Sequence, residues 1–192
     1  MIYKFYTGIG SRETPENVLH MMTAIARDLA LNGYILRSGA ADGADAAFER
    51  GCDEVHGKKE IYLPCKGFQK HASELYFGGP SVDSDAAEEY AERVWSIRNM
   101  PCEWGRLKSF TKALMVRNCF QVLGAHLDKP SELMVCWTKD GGASGGTGQA
   151  IKLAELVTAS DKNDWSIKII NLQKDKFYYE QSAEDPESYH FF

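Results

Sequence analysis

The 192-residue chain has no apolar run near the ~18 residues needed to cross a membrane, so a spanning helix is not expected. Its opening, MIYKFYTGIGSRE, lacks the apolar core and small-residue cleavage site of a secretory signal, and a cytoplasmic location is expected. Cysteine is scarce. Cys52, Cys65, Cys102, Cys119 and Cys136 are odd in number, widely spaced, and include no Cys-x-x-Cys pair. A chain of this length needs no disulfide staples, so reduced thiols are the expectation. His20, His56, His71, His126 and His190 stand apart and no His-Glu-x-x-His occurs, so neither a metal site nor a resident cofactor is indicated. A basic excess is missing too: 22 Lys plus Arg face 27 Asp plus Glu, a net charge of −5. Proteins that coat a nucleic-acid backbone depend on neutralising phosphates, so DNA and anionic membranes are disfavoured as partners. Ser-His-Asp signatures and the Gly-Lys-Ser/Thr ending of a Walker loop are also absent.

What is present is ordinary globular composition, 44% apolar and 26% charged, in a length that suits one core and a single domain over 1–192. Ile2 to Tyr6 reads as a first strand. Thr14-Pro15-Glu16 then reads as an N-cap with proline opening a helix. Val18, Met22, Ile25 and Leu29 recur at helical spacing, and Asn32-Gly33 ends the pattern. Tyr34 to Arg37 is a second strand, followed by a short alanine-rich helix through Arg50-Gly51. Glu60 to Leu63 reads as a third strand closed by Pro64. Residues 66–84 have no clear period and form a long excursion, either a lid or a surface loop. Helices are expected over Ala86–Trp95 and Leu107–Leu123, strands over Leu133–Thr138 and Ile167–Asn171, and a helix between those two strands carries Ile151, Ala154 and either Val157 or Thr158 on one face. Residues 173–192 form an acidic, aromatic extension in which Tyr178, Tyr179, Tyr189, Phe191 and Phe192 are candidates to cover an apolar edge or a second subunit. The alternation of strand, turn and helix is that of a parallel α/β sheet. The expected fold is Rossmann-like, an open, mostly parallel sheet in a three-layer α/β/α arrangement.

Three glycine-containing segments fall after strands, where α/β crevices bind ligands. Gly8-Ile9-Gly10-Ser11-Arg12 follows the first strand; Ser11 offers a hydroxyl and Arg12 a charged fork to phosphate. Ser38-Gly39-Ala40-Ala41-Asp42-Gly43-Ala44-Asp45 can bend tightly and present N–H groups at a helix start, with Asp42 or Asp45 capping that helix or accepting a ribose hydroxyl. Ser144-Gly145-Gly146-Thr147-Gly148-Gln149 is the most specific signal, an anion cradle with hydroxyls beside a helix start, where Gln149 either meets a ligand or completes the cap. Arg117-Asn118 lies inside a helix, with Arg117 on the stripe of Leu114 and Phe110. A buried arginine must be paired, with either an internal carboxylate or a ligand phosphate. Arg98, Arg106 and Lys108 flank the Pro101 break as further positive charge, and Trp104 is a candidate either for base stacking or for the core. The expected ligand is a nucleotide-like small molecule with a ribose and at least one phosphate.

In the order and context of Gly10-Ser11-Arg12, Ser38–Asp45, Arg117-Asn118 and Gly145-Gly146-Thr147-Gly148, the chain resembles the Smf/DprA–LOG, or SLOG, superfamily over roughly residues 3–172. It is most similar to small stand-alone DprA-like proteins, often encoded by bacteriophages, which would place it in a host cytoplasm. The resemblance implies a nucleotide-binding crevice, with Arg117 holding phosphate or ribose, and a homodimer. One branch of the group hydrolyses the N-glycosidic bond of nucleoside monophosphates through Pro-Gly-Gly-x-Gly-Thr-x-x-Glu. Here Ser144 replaces the proline, Gln149 the threonine and Lys152 the catalytic glutamate, and a lysine cannot supply that carboxylate. Hydrolysis would need Asp42, Asp45 or Asp140 instead, so the catalytic residues are unknown. Another branch binds single-stranded DNA as a recombination accessory; that partner stays open but is disfavoured by the acidic total. Other members sense nucleotide-derived messengers.

Overall fold

The computed structural model describes residues 4–160 and 164–174. In chain order the elements are β1 (Lys4–Gly10), α1 (Glu16–Leu31), β2 (Tyr34–Ser38), α2 (Ala44–Glu54), β3 (Lys59–Ile61), α3 (Ser84–Ile97), α4 (Ser109–Leu123), β4 (Leu133–Trp137), α5 (Gly145–Thr158) and β5 (Lys168–Asn171). The five strands form one sheet in the order β3-β2-β1-β4-β5, every pair parallel. Helices on both faces complete the three-layer α/β/α, Rossmann-like fold.

Strand alternation divides the core in two. Leu133, Val135 and Trp137 of β4 point with Tyr6 and Leu36 toward α1 and α2, against Val18, Met22, Ile25, Leu29 and Phe48. Met134 and Cys136 point the other way, with Ile9, toward α3, α4 and α5. Both faces of β4 are therefore covered, which is why LMVCW reads as an unbroken apolar run instead of an alternating one. α4 is packed between α3 and α5 and is buried almost continuously from Met115 to Leu123. Its periodicity is accordingly weak in the sequence, because a helix covered on most sides needs no polar face. Among the described residues no helix is long and apolar enough to cross a membrane.

Several boundaries differ from the sequence reading. β1 does not end at Tyr6: Gly8, Ile9 and Gly10 are ladder residues opposite Val135, Cys136 and Trp137. The ladder to β4 outweighs the poor strand propensity of glycine. Pro15, not Thr14, is the N-cap of α1. The Thr14 hydroxyl donates to the Ser11 carbonyl at 2.7 Å, so it serves the preceding turn. α2 continues past Gly51 to Glu54, and Gly145 to Gly148 belong to the first turn of α5 instead of a loop before it.

The 66–84 excursion is tied down beside β3. The Leu63 amide donates to the Leu75 carbonyl at 2.8 Å and the Phe77 amide to the Leu63 carbonyl at 3.0 Å. Ser73 Oγ donates to the Ile61 carbonyl at 2.6 Å, and His71 Nε2 lies 2.9 Å from Glu49 on α2. Gln173 Oε1 accepts the Trp137 indole N–H at 3.1 Å. The aromatic residues Tyr178, Tyr179, Tyr189, Phe191 and Phe192 of the expected extension lie outside the described residues.

Candidate functional site

The order β3-β2-β1-β4-β5 places the switch in chain direction between β1 and β4, where neighbouring connections leave for opposite faces of the sheet. A crevice of about 520 Å³ opens at that point, at the carboxyl ends of the strands. Its floor is the end of β1 (Ile9, Gly10); Ser11 to Glu13, Asp45, Thr138, Lys139 and the start of α5 form its walls, and Phe110, Leu114, Met115, Arg117 and Asn118 of α4 close one side. A second cavity of about 190 Å³ lies at the opposite end of the strands between Ile25, Leu29, Leu133, Val135 and Ile170. It is mainly aliphatic, with Tyr34, Glu132 and Lys168 also on its lining.

The start of α5 is the most developed wall. Ser144 is its N-cap residue, yet its side chain makes no capping bond; the hydroxyl donates instead to Asp140 Oδ1 at 2.8 Å. The first intrahelical bond runs from the Gly148 amide to the Ser144 carbonyl at 2.7 Å. The amides of Gly145, Gly146 and Thr147 thus have no intrahelical acceptor, and these residues line the crevice. Their positive end of the helix dipole faces the same space. The loop is held from behind. Arg98 Nη2 donates to the Ala143 and Gly145 carbonyls, each at 3.1 Å, and Asn118 Nδ2 to the Gly146 carbonyl at 2.9 Å. Desolvation pulls the Arg98 guanidinium below its ordinary value. Thr138 Oγ1 donates to the Gly142 carbonyl at 2.7 Å, and Asp140 accepts the Gly142 amide at 2.9 Å. The Gly142 amide and the Ser144 hydroxyl hold the Asp140 carboxyl below its usual range.

Arg117 projects from α4 into the same crevice, 5% exposed. Nη1 donates to Asp45 Oδ2 at 2.9 Å, while Nε has no hydrogen-bond partner among the described residues. Asp45 is 2% exposed, and burial pushes its carboxyl above the ordinary value, opposed by the charge and hydrogen bond of Arg117 and by the backbone of Ala41 and Gly10. Gly39 makes this pair possible, because a Cβ at that position would overlap the Arg117 guanidinium. Around the crevice Arg12, Lys139 and Arg117 stand against Glu13 and Asp45, so an otherwise acidic protein has a locally positive surface here.

The sequence candidates separate into two groups. Gly10, Ser11, Arg12, Asp45, Arg117, Asn118, Gly145, Gly146 and Thr147 come together on the crevice. Ser38, Gly39, Asp42, Gly43, Gly148 and Gln149 do not line it and act as support. Ser38 is buried and its hydroxyl donates to the Gly8 carbonyl at 2.8 Å. Gly43, at φ +81°, is the N-cap of α2 and packs against the Ser11–Arg12 backbone. Neither Asp42 nor Asp45 caps α2. Asp42 accepts from Gln69 Nε2 at 3.0 Å, and Asp45 is taken by Arg117. Gln149 is fully buried and donates to the Ala91 carbonyl at 3.1 Å, which ties α5 to α3; it is neither a cap nor on the crevice. Trp104 is buried against Trp95 at 6.1 Å between ring centroids, a core contact away from the crevice.

Sequence reasoning missed Phe110, Leu114 and Met115 as lining residues. The stripe shared by Phe110, Leu114 and Arg117 is a crevice face, and the signal was the arginine within it: an apolar stripe bearing a charge faces a polar space. Lys139 was also missed, although the residues just beyond a strand end are where such a crevice recruits side chains.

No family model matches the chain, and no curated protein matches it significantly. Among solved structures it is similar to the Moco carrier protein of Chlamydomonas rheinhardtii, at 14% identity and a TM-score of 0.49, covering 97% of this chain and 86% of that one. A second structure, of the molybdenum cofactor carrier protein MCP from Chlamydomonas reinhardtii, has 14% identity and a TM-score of 0.44 over 96% of this chain and 100% of that one. At such identity and TM-scores below 0.5, neither likeness says anything about the ligand of this chain.

Proposed function

We propose that this protein binds a phosphorylated, nucleotide-derived small molecule in the crevice between β1, β4, α4 and α5. The observation that carries the reading is the α5 N-terminus: its cap serine is engaged by Asp140, its first amides face the crevice, and the buried Arg117 meets them there. Uncapped amides, a helix dipole and a guanidinium are complementary to a phosphate. A volume of about 520 Å³ suits a mononucleotide-sized molecule better than a polymer strand, and the acidic total points the same way. Within this proposal the chain is a Smf/DprA–LOG-type protein.

The three aspartates that could replace the missing glutamate are engaged, which favours binding over N-glycosidic hydrolysis and leaves Glu13 as the carboxylate lining the crevice outside those contacts. Asp45 is committed to Arg117, Asp140 to the loop amide and Ser144, and Asp42 to Gln69. Lys152, at the position of the hydrolytic glutamate, pairs with Glu155 at 2.6 Å and does not line the crevice.

Titration calorimetry with ribose 5-phosphate, AMP, ADP-ribose and NAD tests the reading, comparing the parent protein with Gly146→Asp. A side chain at Gly146 meets nothing closer than Met115 Cε at 3.6 Å, and an aspartate in the first turn of α5 favours the helix, so the variant folds. The expected result is saturable binding of at least one ligand, weakened about tenfold or more by the introduced carboxylate. No binding of any of the four by folded protein would overturn the proposal.

A further inference from the structure

Phe110 stands out on the crevice wall. Among the described residues it is one of the few large apolar side chains left exposed, at 49%, and the one aromatic residue lining this space. An exposed phenylalanine at the first turn of a helix is unremarkable alone. Its surroundings are not random. Phe68, from the 66–84 excursion, packs against it with ring centroids 6.1 Å apart and planes inclined at 43°. Phe68 is half-buried on its other side against the α1–α2 core. One ring therefore backs the other and leaves Phe110 facing the crevice.

The turn that delivers Phe68 is held in an unusual conformation. Gln69 and Lys70 both have left-handed backbones, at φ 51° and 58°, beside Gly67 at φ 72°. Non-glycine residues adopt this region only where their surroundings fix them, and such positions concentrate at ligand sites. Here the fixing contacts are visible. The Phe68 amide donates to the Cys65 carbonyl at 3.2 Å, the Lys70 amide to the Gly67 carbonyl at 3.0 Å, and the His71 amide to the Phe68 carbonyl at 2.9 Å. Gln69 Nε2 reaches Asp42, in the turn after β2, at 3.0 Å. This gives Asp42 a role that its exposed position in a glycine turn did not suggest: it anchors the turn carrying the backing ring.

We infer that Phe110, backed by Phe68 and flanked by Leu114, is the platform on which the planar heterocycle of the ligand stacks. This rests on the reading of the crevice as a phosphate site, and it deepens that reading by naming the group at its other end. The α5 amides and Arg117 hold the anion, and a flat apolar ring two turns before Arg117 on the same α4 wall selects a ligand that also carries an aromatic base. The excursion then contributes to recognition through a fixed contact instead of by closing over the site.

The test compares AMP and GMP with ribose 5-phosphate, which has the anion and sugar but no base. Calorimetric affinities are measured for the parent, Phe110→Ala, Phe68→Ala and the conservative Phe110→Tyr. Phe110 is half exposed, so its truncation leaves the core intact, and an unchanged unfolding midpoint confirms it. The expected result is a loss of between about fivefold and a hundredfold for a purine nucleotide in Phe110→Ala, with ribose 5-phosphate unchanged. A smaller loss is expected in Phe68→Ala, and near-parental affinity in Phe110→Tyr. If the parent binds ribose 5-phosphate as tightly as the nucleotides, or if Phe110→Ala weakens all of them equally, the platform is refuted while the phosphate site stands. If the folded parent binds none of the three, nor ADP-ribose or NAD, the underlying reading fails and the platform with it.

Discussion

Replacing Arg117 with methionine removes the positive half of an ion pair whose side chains are 7% and 2% exposed and whose donor and acceptor are 2.9 Å apart. The loss is not the net value of the pair. It is the cost of leaving the Asp45 carboxylate buried without its partner, and in comparable sites this is about 3–5 kcal/mol. For a chain of this size each kcal/mol moves the unfolding midpoint by about 2–4 °C, so a fall of roughly 6–20 °C is expected. The penalty also depends on pH in a direction that can be worked out. Burial already raises the folded-state Asp45 carboxyl, and Arg117 opposes that rise. Removing Arg117 raises it further. A carboxyl whose folded value lies above its unfolded value makes its most favourable contribution below the unfolded value, and loses it as pH climbs through the folded one. The destabilisation by Arg117→Met is therefore expected to be smaller at about pH 5 than at about pH 8. Thermal unfolding followed by circular dichroism at both pH values checks this, alongside the single variants Arg117→Gln and Asp45→Asn and the double variant Asp45→Asn/Arg117→Gln. Neutral amides in both positions should lose less than the two single changes together, by about 1–3 kcal/mol. A loss under about 1 kcal/mol in Arg117→Met, or strict additivity in the double variant, would refute the claim that the pair is closed and coupled.

Two further outcomes follow from the same geometry. Gly39→Ala puts a methyl where the Arg117 guanidinium lies, so it should cost about 1–3 kcal/mol in urea unfolding and weaken ligand binding through displaced Arg117; an unchanged midpoint would contradict the packing. Glu49 is half-buried, which pushes its carboxyl up, but hydrogen bonds from Lys59 and His71 outweigh this and hold it below the usual range. Its contribution to stability is present above the ordinary carboxylate value and lost as pH falls through the lowered one, so Glu49→Gln should flatten the acid limb of a stability–pH curve; an unchanged acid limb would count against that assignment.

The fold was legible because its determinants are local. Val18, Met22, Ile25 and Leu29 announce a helix face by spacing alone, and all four are buried. Five apolar residues from Leu133 to Trp137 between polar segments announce a strand covered on both sides, and all five are buried. The extent of β1 was not legible, because glycine has weak strand propensity and only the ladder to β4 recruits Gly8 and Gly10. The helix pattern over α4 identified the element and the stripe of Phe110, Leu114 and Arg117, but not which space that stripe faces, since a ligand-facing wall and a core-facing wall have the same spacing.

The sequence by itself determined a parallel α/β sheet and a glycine-rich helix start after its fourth strand, because turn chemistry and hydrophobic period are written within a few residues of where they act. Only the tertiary structure decided what the glycines and charges do. Gly39 is there to admit a guanidinium from a helix 78 positions later, and Asp45 pairs with that guanidinium instead of capping its own helix. Asp42 anchors the turn behind Phe110, while Gln149 fastens two helices. Each of these depends on which elements the strand order brings side by side. A short polar side chain has several nearly equal local partners, and the long-range contact that wins is fixed only when the sheet has assembled.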